Sequence, residues 1–270
     1  MPLDVTDNDI YFDPLKMYFG DDFVINDKIV VKCPTIGEVA EYGEIPYMAM
    51  AHTIVAIPSD MKAPLDDIGL DWNEISDFQL FSMLCQGLRV EQTSILFGDL
   101  DFSKLKVYPH PQIEDMIVLA DKESGVLIDE YIYTQMVAYI RKMHGFSKTV
   151  EHAKNKITKK VLIEEERAKL KQNTKKKPES YLLPLISSVK ARMGYTNDYI
   201  RQMKLTEFFD LVQRLNIIRS SDALLNGMYS GFMDTSKINK NELNWMREIT
   251  YDNNSGGIVI NEANQNIGTQ

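Results

Sequence analysis

Residues 149–180, TVEHAKNKITKKVLIEEERAKLKQNTKKKPES, constrain this chain more than any other stretch. Apolar residues there are sparse and fall mostly at helical spacing: Val150, Ala153, Ile157, Val161, Leu162, Ala168 and Leu170. Glu165 and Lys169 form a Glu-to-Lys pair in the stabilising order, worth a few tenths of a kcal/mol. The pattern predicts a solvated helix over about 150–172 that ends in a Lys-rich loop before Pro178. Such a segment cannot build a core of its own, so it reads as a charged helix or linker (149–180) between two folded units.

Charge is distributed accordingly. The 270-residue chain has a formal net charge of -9, yet residues 151–177 hold ten Lys/Arg against four Glu. The rest of the chain is therefore strongly acidic, which disfavours general nucleic-acid binding, since that affinity comes mainly from neutralising phosphates. Cys33 and Cys85, the only cysteines, form no CxxC and read as buried small hydrophobes of a reducing compartment. The N-terminus, MPLDVTDNDIYF, lacks the apolar run of a signal peptide, and no stretch approaches a membrane span. These features predict residence in the cytoplasm.

Before the charged run the pattern is mixed. Phe23–Ile25 and Lys28–Cys33 flank Asn26-Asp27 as a hairpin. Thr35 with Glu38 fits a capping box, and Pro46 should kink or break the helix that follows. Ser76 or Asp77 caps a helix through Cys85, with Gly87 as its stop and Trp72 stapling its start. Ile95–Phe97 and Phe102–Tyr108 are short apolar runs. Met116–Ala120 and Val126–Ile128 read as a second hairpin, and Asp129 caps a helix with Ile132, Tyr133, Met136, Val137 and Ile140 on one face, ending at Gly145.

After the run the chain is helical. Tyr181–Val189 tolerates Pro184 in its first turn. A broad stripe of Phe208, Phe209, Leu211, Val212, Leu215 and Ile218 follows Lys204 or Thr206, and Asp222 starts a further helix. Leu243, Trp245, Met246 and Ile249 close the unit. The predicted fold class is thus α+β: a mixed unit with β-hairpins and helices over 1–148, the charged helix over 149–180, an all-α unit over 181–250, and a disordered Asn/Gly-rich tail over 251–270.

No catalytic motif emerges. His52, His110, His144 and His152 show no metal-ligand spacing, and neither a phosphate-cradling loop nor a nucleophile elbow is present. Asp99 and Asp101, followed by Lys104, could be fitted to a metal-dependent nuclease; a turn and helix cap is the simpler reading. No cofactor is implied. Lys159, Lys160, Lys169 and Lys171 form a charged spine suited to an acidic partner rather than to bases, because aromatics are not interleaved with them.

Three patches carry a resemblance: residues 13–44, DPLKMYFGDDFVINDKIVVKCPTIGEVAEYGE; residues 69–78, GLDWNEISDF; and residues 224–248, LLNGMYSGFMDTSKINKNELNWMRE. They resemble proteins from tail-gene cassettes of tailed phages of Gram-positive bacteria. The nearest role in that group is the tail assembly chaperone, which coats the tape-measure protein, recruits tail-tube subunits and has no catalytic site. The resemblance implies a non-enzymatic protein whose partner is the tape-measure or tail-tube protein, with self-association as a further option. It would work in the host cytoplasm, or in the virion if retained there as a tail or connector subunit. On this reading Phe208, Phe209, Leu215, Tyr229, Phe232, Trp245 and Met246 are the candidate contacts, since aromatics and Met dominate interfaces.

Overall fold

The computed structural model describes residues 6–113, 116–173, 179–230 and 238–249. Asp13 caps a short α1 (Pro14–Tyr18) by accepting from the amides of Leu15 and Lys16. β1 (Phe23–Val24) pairs antiparallel with β2 (Val30–Val31), as the Asn26-Asp27 turn predicts. The Thr35–Glu38 capping box is formed in both directions, at 3.1 and 2.6 Å, and starts α2 (Ile36–Tyr42). The break before α3 (Glu44–Val55) falls at Gly43, with φ of 100°, and not at Pro46. Pro46 sits in the first turn of α3, where its missing amide would have had no partner.

α4 (Lys62–Asp67) and α5 (Asp77–Leu84) follow, the latter capped by Ser76 in a second capping box. α5 ends at Leu84 in a 3-10 turn, so Gly87 is not its cap. Ile95–Phe97 belongs to α6 (Val90–Phe97), whose four apolar residues, three of them consecutive, were too few to show periodicity. β3 (Lys106–Pro109), β4 (Ile117–Asp121) and β5 (Val126–Ile128) make an antiparallel sheet in that order, with Leu119 opposite Ile128, both fully buried.

α7 (Glu130–His144) begins at the Asp129 cap and stops at left-handed Gly145, matching both predicted ends. Its burial extends beyond the single predicted face: Tyr133, Met136, Val137, Ala138, Tyr139, Ile140, Met143 and His144 are all buried. The hairpin, the 7–9 turn, α3 and α11 pack around it; Phe12, Phe23 and Tyr139 form a ring cluster at 4.9–5.6 Å, and the Tyr139 hydroxyl donates to the Asp21 carbonyl.

The helices beyond the charged run are α9 (Leu182–Met193), α10 (Asn197–Gln202) and α11 (Leu205–Tyr229). α11 passes straight through Asp222, the expected start of a new helix. No Gly or Pro interrupts 205–226, and the neighbouring Ser221 hydroxyl is taken by the Leu243 carbonyl rather than by a cap. These helices do not enclose a separate core. Leu182, Val189, Ile200, Met203, Leu205, Phe208, Phe209 and Val212 belong to the same apolar cluster as Phe12 through Met143. An antiparallel bridge joins the two parts: the Ile36 amide donates to Met203, the Leu205 amide to Pro34, and Lys204 Nζ to the Cys33 carbonyl.

α8 (Lys156–Asn173) confirms a helix in the charged run, starting later than predicted. It is not solvated on all sides. Ile163, outside the predicted stripe, is its one fully buried apolar residue, and Leu162 packs on a small cluster of Leu65, Trp72 and Leu80. Around this contact Arg167 bonds Asp66, Asp67 and Glu164, Lys159 pairs with Asp71, and Glu166 accepts the Ala63 amide. The predicted tail at 251–270, Phe232 and the lysines at 175–177 lie outside the described residues.

Two predictions test this packing. A Cβ at Gly37 would meet the Arg201 carbonyl at 2.7 Å, so Gly37→Ala should destabilise the whole chain by about 1–3 kcal/mol in urea unfolding. Ile163→Asp should release α8, seen as faster hydrogen exchange over 156–173. Arg167→Ala should change that exchange far less, because its ion pairs lie at the surface.

Candidate partner-binding site

A cavity of about 1000 Å³ opens between α3, the end of α7 and the starts of α9 and α11. Its inner wall is a stack of three rings. Phe146, just past the Gly145 stop, lies between His52 at 4.2 Å and His144 at 4.8 Å, with interplanar angles of 19° and 16°. Tyr181 and Phe209 form a second ring pair at 6.2 Å on the opposite side. Ile45 (51% exposed) and Tyr181 (40% exposed) make apolar lips at the opening.

His144 is fixed at the base. Its Nδ1–H donates to the Ile140 carbonyl and its Nε2 accepts from the Tyr47 hydroxyl, each at 2.8 Å. Burial pushes its pKa down to about 4, so the ring is neutral, which is what both bonds require. Burial likewise lowers His52 and raises the Tyr47 hydroxyl well above its ordinary value.

Several of the charged groups lining the cavity are engaged by the fold, while Glu179 is exposed. Arg141 binds Asp7 at 2.6 Å and the Val55 carbonyl at 2.7 Å. Glu44 accepts from the Ser180 hydroxyl and from the Leu182 amide, tying the start of α3 to the start of α9. Lys148 pairs with Asp77 at 2.7 Å. Ring and aliphatic surface remains to meet a partner, together with the exposed Glu179.

The residues selected from sequence divide into three sets. Phe208 is fully buried and Phe209 is nearly so, which makes them core residues, although Phe209 also backs the cavity; Leu215 is partly buried against the core. Tyr229 (87% exposed), Trp245 and Met246 are solvent-facing. The backbone of the last two is pinned along α11, where Arg214 donates to the carbonyls of Trp245 and Arg247 at 2.8 and 2.7 Å, and their side chains turn outward. Phe232 lies outside the described residues. In the spine, Lys159 is committed to Asp71, whereas Lys160, Lys169 and Lys171 are exposed.

Asp101 serves as a cap, accepting from the Ser103 amide and hydroxyl at 3.1 and 2.6 Å. His110 is a turn residue whose Nδ1 accepts from the amides of Gln112 and Ile113. Among the described residues no three His, Cys, Asp or Glu side chains converge as a metal site, and no helix is long and apolar enough to cross a membrane. Cys33 and Cys85 are buried free thiols.

A family model described as the YomV second domain matches residues 174–250. YomV is a protein of a Bacillus phage region, so the match connects this part of the chain with phage-associated proteins. It takes in α9, α10, α11 and the 240–249 segment, and so includes Tyr181, Phe209 and Gln213 of the cavity wall. Searches among curated proteins and among solved structures gave no match.

The cavity itself was missed from sequence, because its lining comes from four separated segments. His144 supplies the test of its geometry. A base held below its usual 6.5 takes up protons more readily when unfolded, so stability is full above pH 6.5 and falls as pH drops towards about 4. The loss should be on the order of 3 kcal/mol across that window. His144→Gln should flatten this slope in pH-dependent unfolding.

Proposed function

We propose that this protein is a non-enzymatic assembly factor of phage tail morphogenesis that binds an amphipathic helix of the tape-measure protein, or a segment of the tail-tube protein. The observation that carries this reading is the cavity between α3 and α9–α11. It combines stacked rings and apolar lips with an arginine and a glutamate, Arg141 and Glu44, already bonded within the fold. Surfaces of this composition suit helix-in-groove recognition, where a few apolar anchors supply most of the energy. The phage-associated match over 174–250, which includes one wall of the cavity, supports the same context.

In mechanism, apolar side chains of the partner helix enter between the His52–Phe146 stack and the Tyr181–Phe209 pair. Ile45 and Tyr181 close over the aliphatic stems at the rim. Trp245, Met246 and Tyr229, exposed along α11, extend the contact beyond the cavity. The surface lysines of α8 raise the association rate with acidic partners without adding much affinity.

The test is co-expression of the tagged chain with the tail genes of its own cassette, followed by mass spectrometry of captured proteins and of purified virions. Tape-measure or tube protein should be captured, and the chain should be absent from virions. Ile45→Lys combined with Tyr181→Asp should cut capture by about tenfold or more. Stoichiometric presence in virions, or capture indifferent to these substitutions, would overturn the proposal.

A further inference from the structure

Two exposed apolar surfaces of opposite charge lie on different parts of the molecule. The first is the outer face of α8. Ile157 is 78% exposed and Val161, one turn on, is 50% exposed, although the opposite face of the same helix is docked on α4. Lys156 and Lys160 flank them and are also exposed. An isoleucine so open on an ordered helix has no partner within the described fold, and it is surrounded by positive charge.

The second surface is aromatic and acidic. Tyr18 and Phe19, at the end of α1, form a ring pair at 5.4 Å and are 42% and 66% exposed. Leu15 (68% exposed) lies one turn before, and Tyr199 of α10 (47% exposed) extends the patch, itself paired with Tyr195 at 4.6 Å. The start of α11 packs against α1, where the Thr206 hydroxyl reaches the Tyr18 carbonyl at 3.5 Å; Glu207 is the next residue and Asp210 lies about one turn on, both half-buried. Their charges act on the Tyr18 hydroxyl, which burial and then both carboxylates raise. Asp13 precedes α1 in sequence, and Asp21 and Asp22 follow it.

α8 packs on α4, whereas α1 packs on α11 and α10 packs on α2 and α9, so the two surfaces are carried by separate sets of elements. We infer that a second copy of this chain is the occupant: Lys156, Ile157, Lys160 and Val161 of one molecule seat on the Tyr18–Phe19–Tyr199 patch of the next, opposite Glu207 and Asp210. Apolar residues meet aromatic rings and lysines meet carboxylates and ring faces, an arrangement favourable both as ion pairs and as cation–π contacts. Because the two surfaces differ, the contact is head-to-tail and propagates into a ring or a chain instead of closing as a two-fold dimer. This inference is independent of the tail-protein partner proposed above, and its test uses the pure chain alone.

Sedimentation velocity on the full chain reads the result. At about 0.01 M salt, where the screening length is about 30 Å, species larger than a monomer should form; at about 1 M, where it is about 3 Å, they should weaken markedly. Lys156→Glu with Lys160→Glu removes one surface, and Glu207→Lys damages the other. Each variant alone should associate at least about tenfold more weakly. Mixed together, the two variants offer one intact pair of surfaces and one charge-reversed pair, so association should return. All substituted side chains are exposed or half-buried, and thermal unfolding checks that each variant is folded. A monomer at every salt concentration overturns the inference. So does a mixture that stays monomeric. A monomer whose Tyr18–Phe19 surface becomes exposed only on truncation after Ile249 also overturns it, by assigning that surface to the chain's own C-terminal residues.

Discussion

The structure depends on burying one helix, α7, on nearly every side. An amphipathic helix needs a single neighbour; a helix with Tyr133, Val137, Ala138, Tyr139, Ile140 and Met143 all withdrawn from water needs several. The β1–β2 hairpin and the segment before α1 supply one, through the rings of Phe23 and Phe12. α3 supplies another, and α11, from the far end of the chain, supplies a third. Fully burying each large apolar side chain contributes about 1.5–3 kcal/mol, so the requirement of α7 dominates the weak surface ion pairs around it. That α11 is recruited explains why the segments on either side of the charged run share one core.

The charged run illustrates the same ranking of forces. Its many ions suggest a free helix, and the ions do form pairs with α4 and its surroundings. Most of those pairs are partly exposed, and long side chains lose rotamer freedom when held, so each contributes little. The position of α8 follows instead from Leu162 against Leu65, Trp72 and Leu80, and from the burial of Ile163 beside it. The ion pairs then select orientation, while the outer face with Ile157 and Val161 stays exposed.

The candidate site arises at the seams of this packing. The Gly145 stop turns Phe146 back between two histidines, and Glu44 clamps the start of α9 beside them. Neither arrangement serves the core directly. A cavity walled by rings is the kind of place where a helix from outside can complete what the fold leaves open, and part of its wall falls within the phage-associated segment. Phe208 shows how composition can mislead here: it has the side chain of an interface anchor and is withdrawn into the core, whereas its neighbour Phe209 backs the cavity.

Local features were determined by the sequence alone, because each is decided within a few residues. The caps at Thr35, Ser76 and Asp129, the stop at Gly145, the two hairpins and the α+β class all follow from side-chain-to-backbone bonds and turn geometry. Tertiary structure alone decided which apolar residues became core and which became surface. Phe208 and Trp245 are equally apolar in a sequence; one lies against α7's neighbours and the other is turned outward because Arg214 holds its backbone from beneath. The bridge of 33–36 with 203–205, the docking of Ile163 and the ring stack of His52, Phe146 and His144 join residues far apart in the chain. Such contacts carry no local signature, since their energy exists only once distant surfaces have met and expelled the water between them.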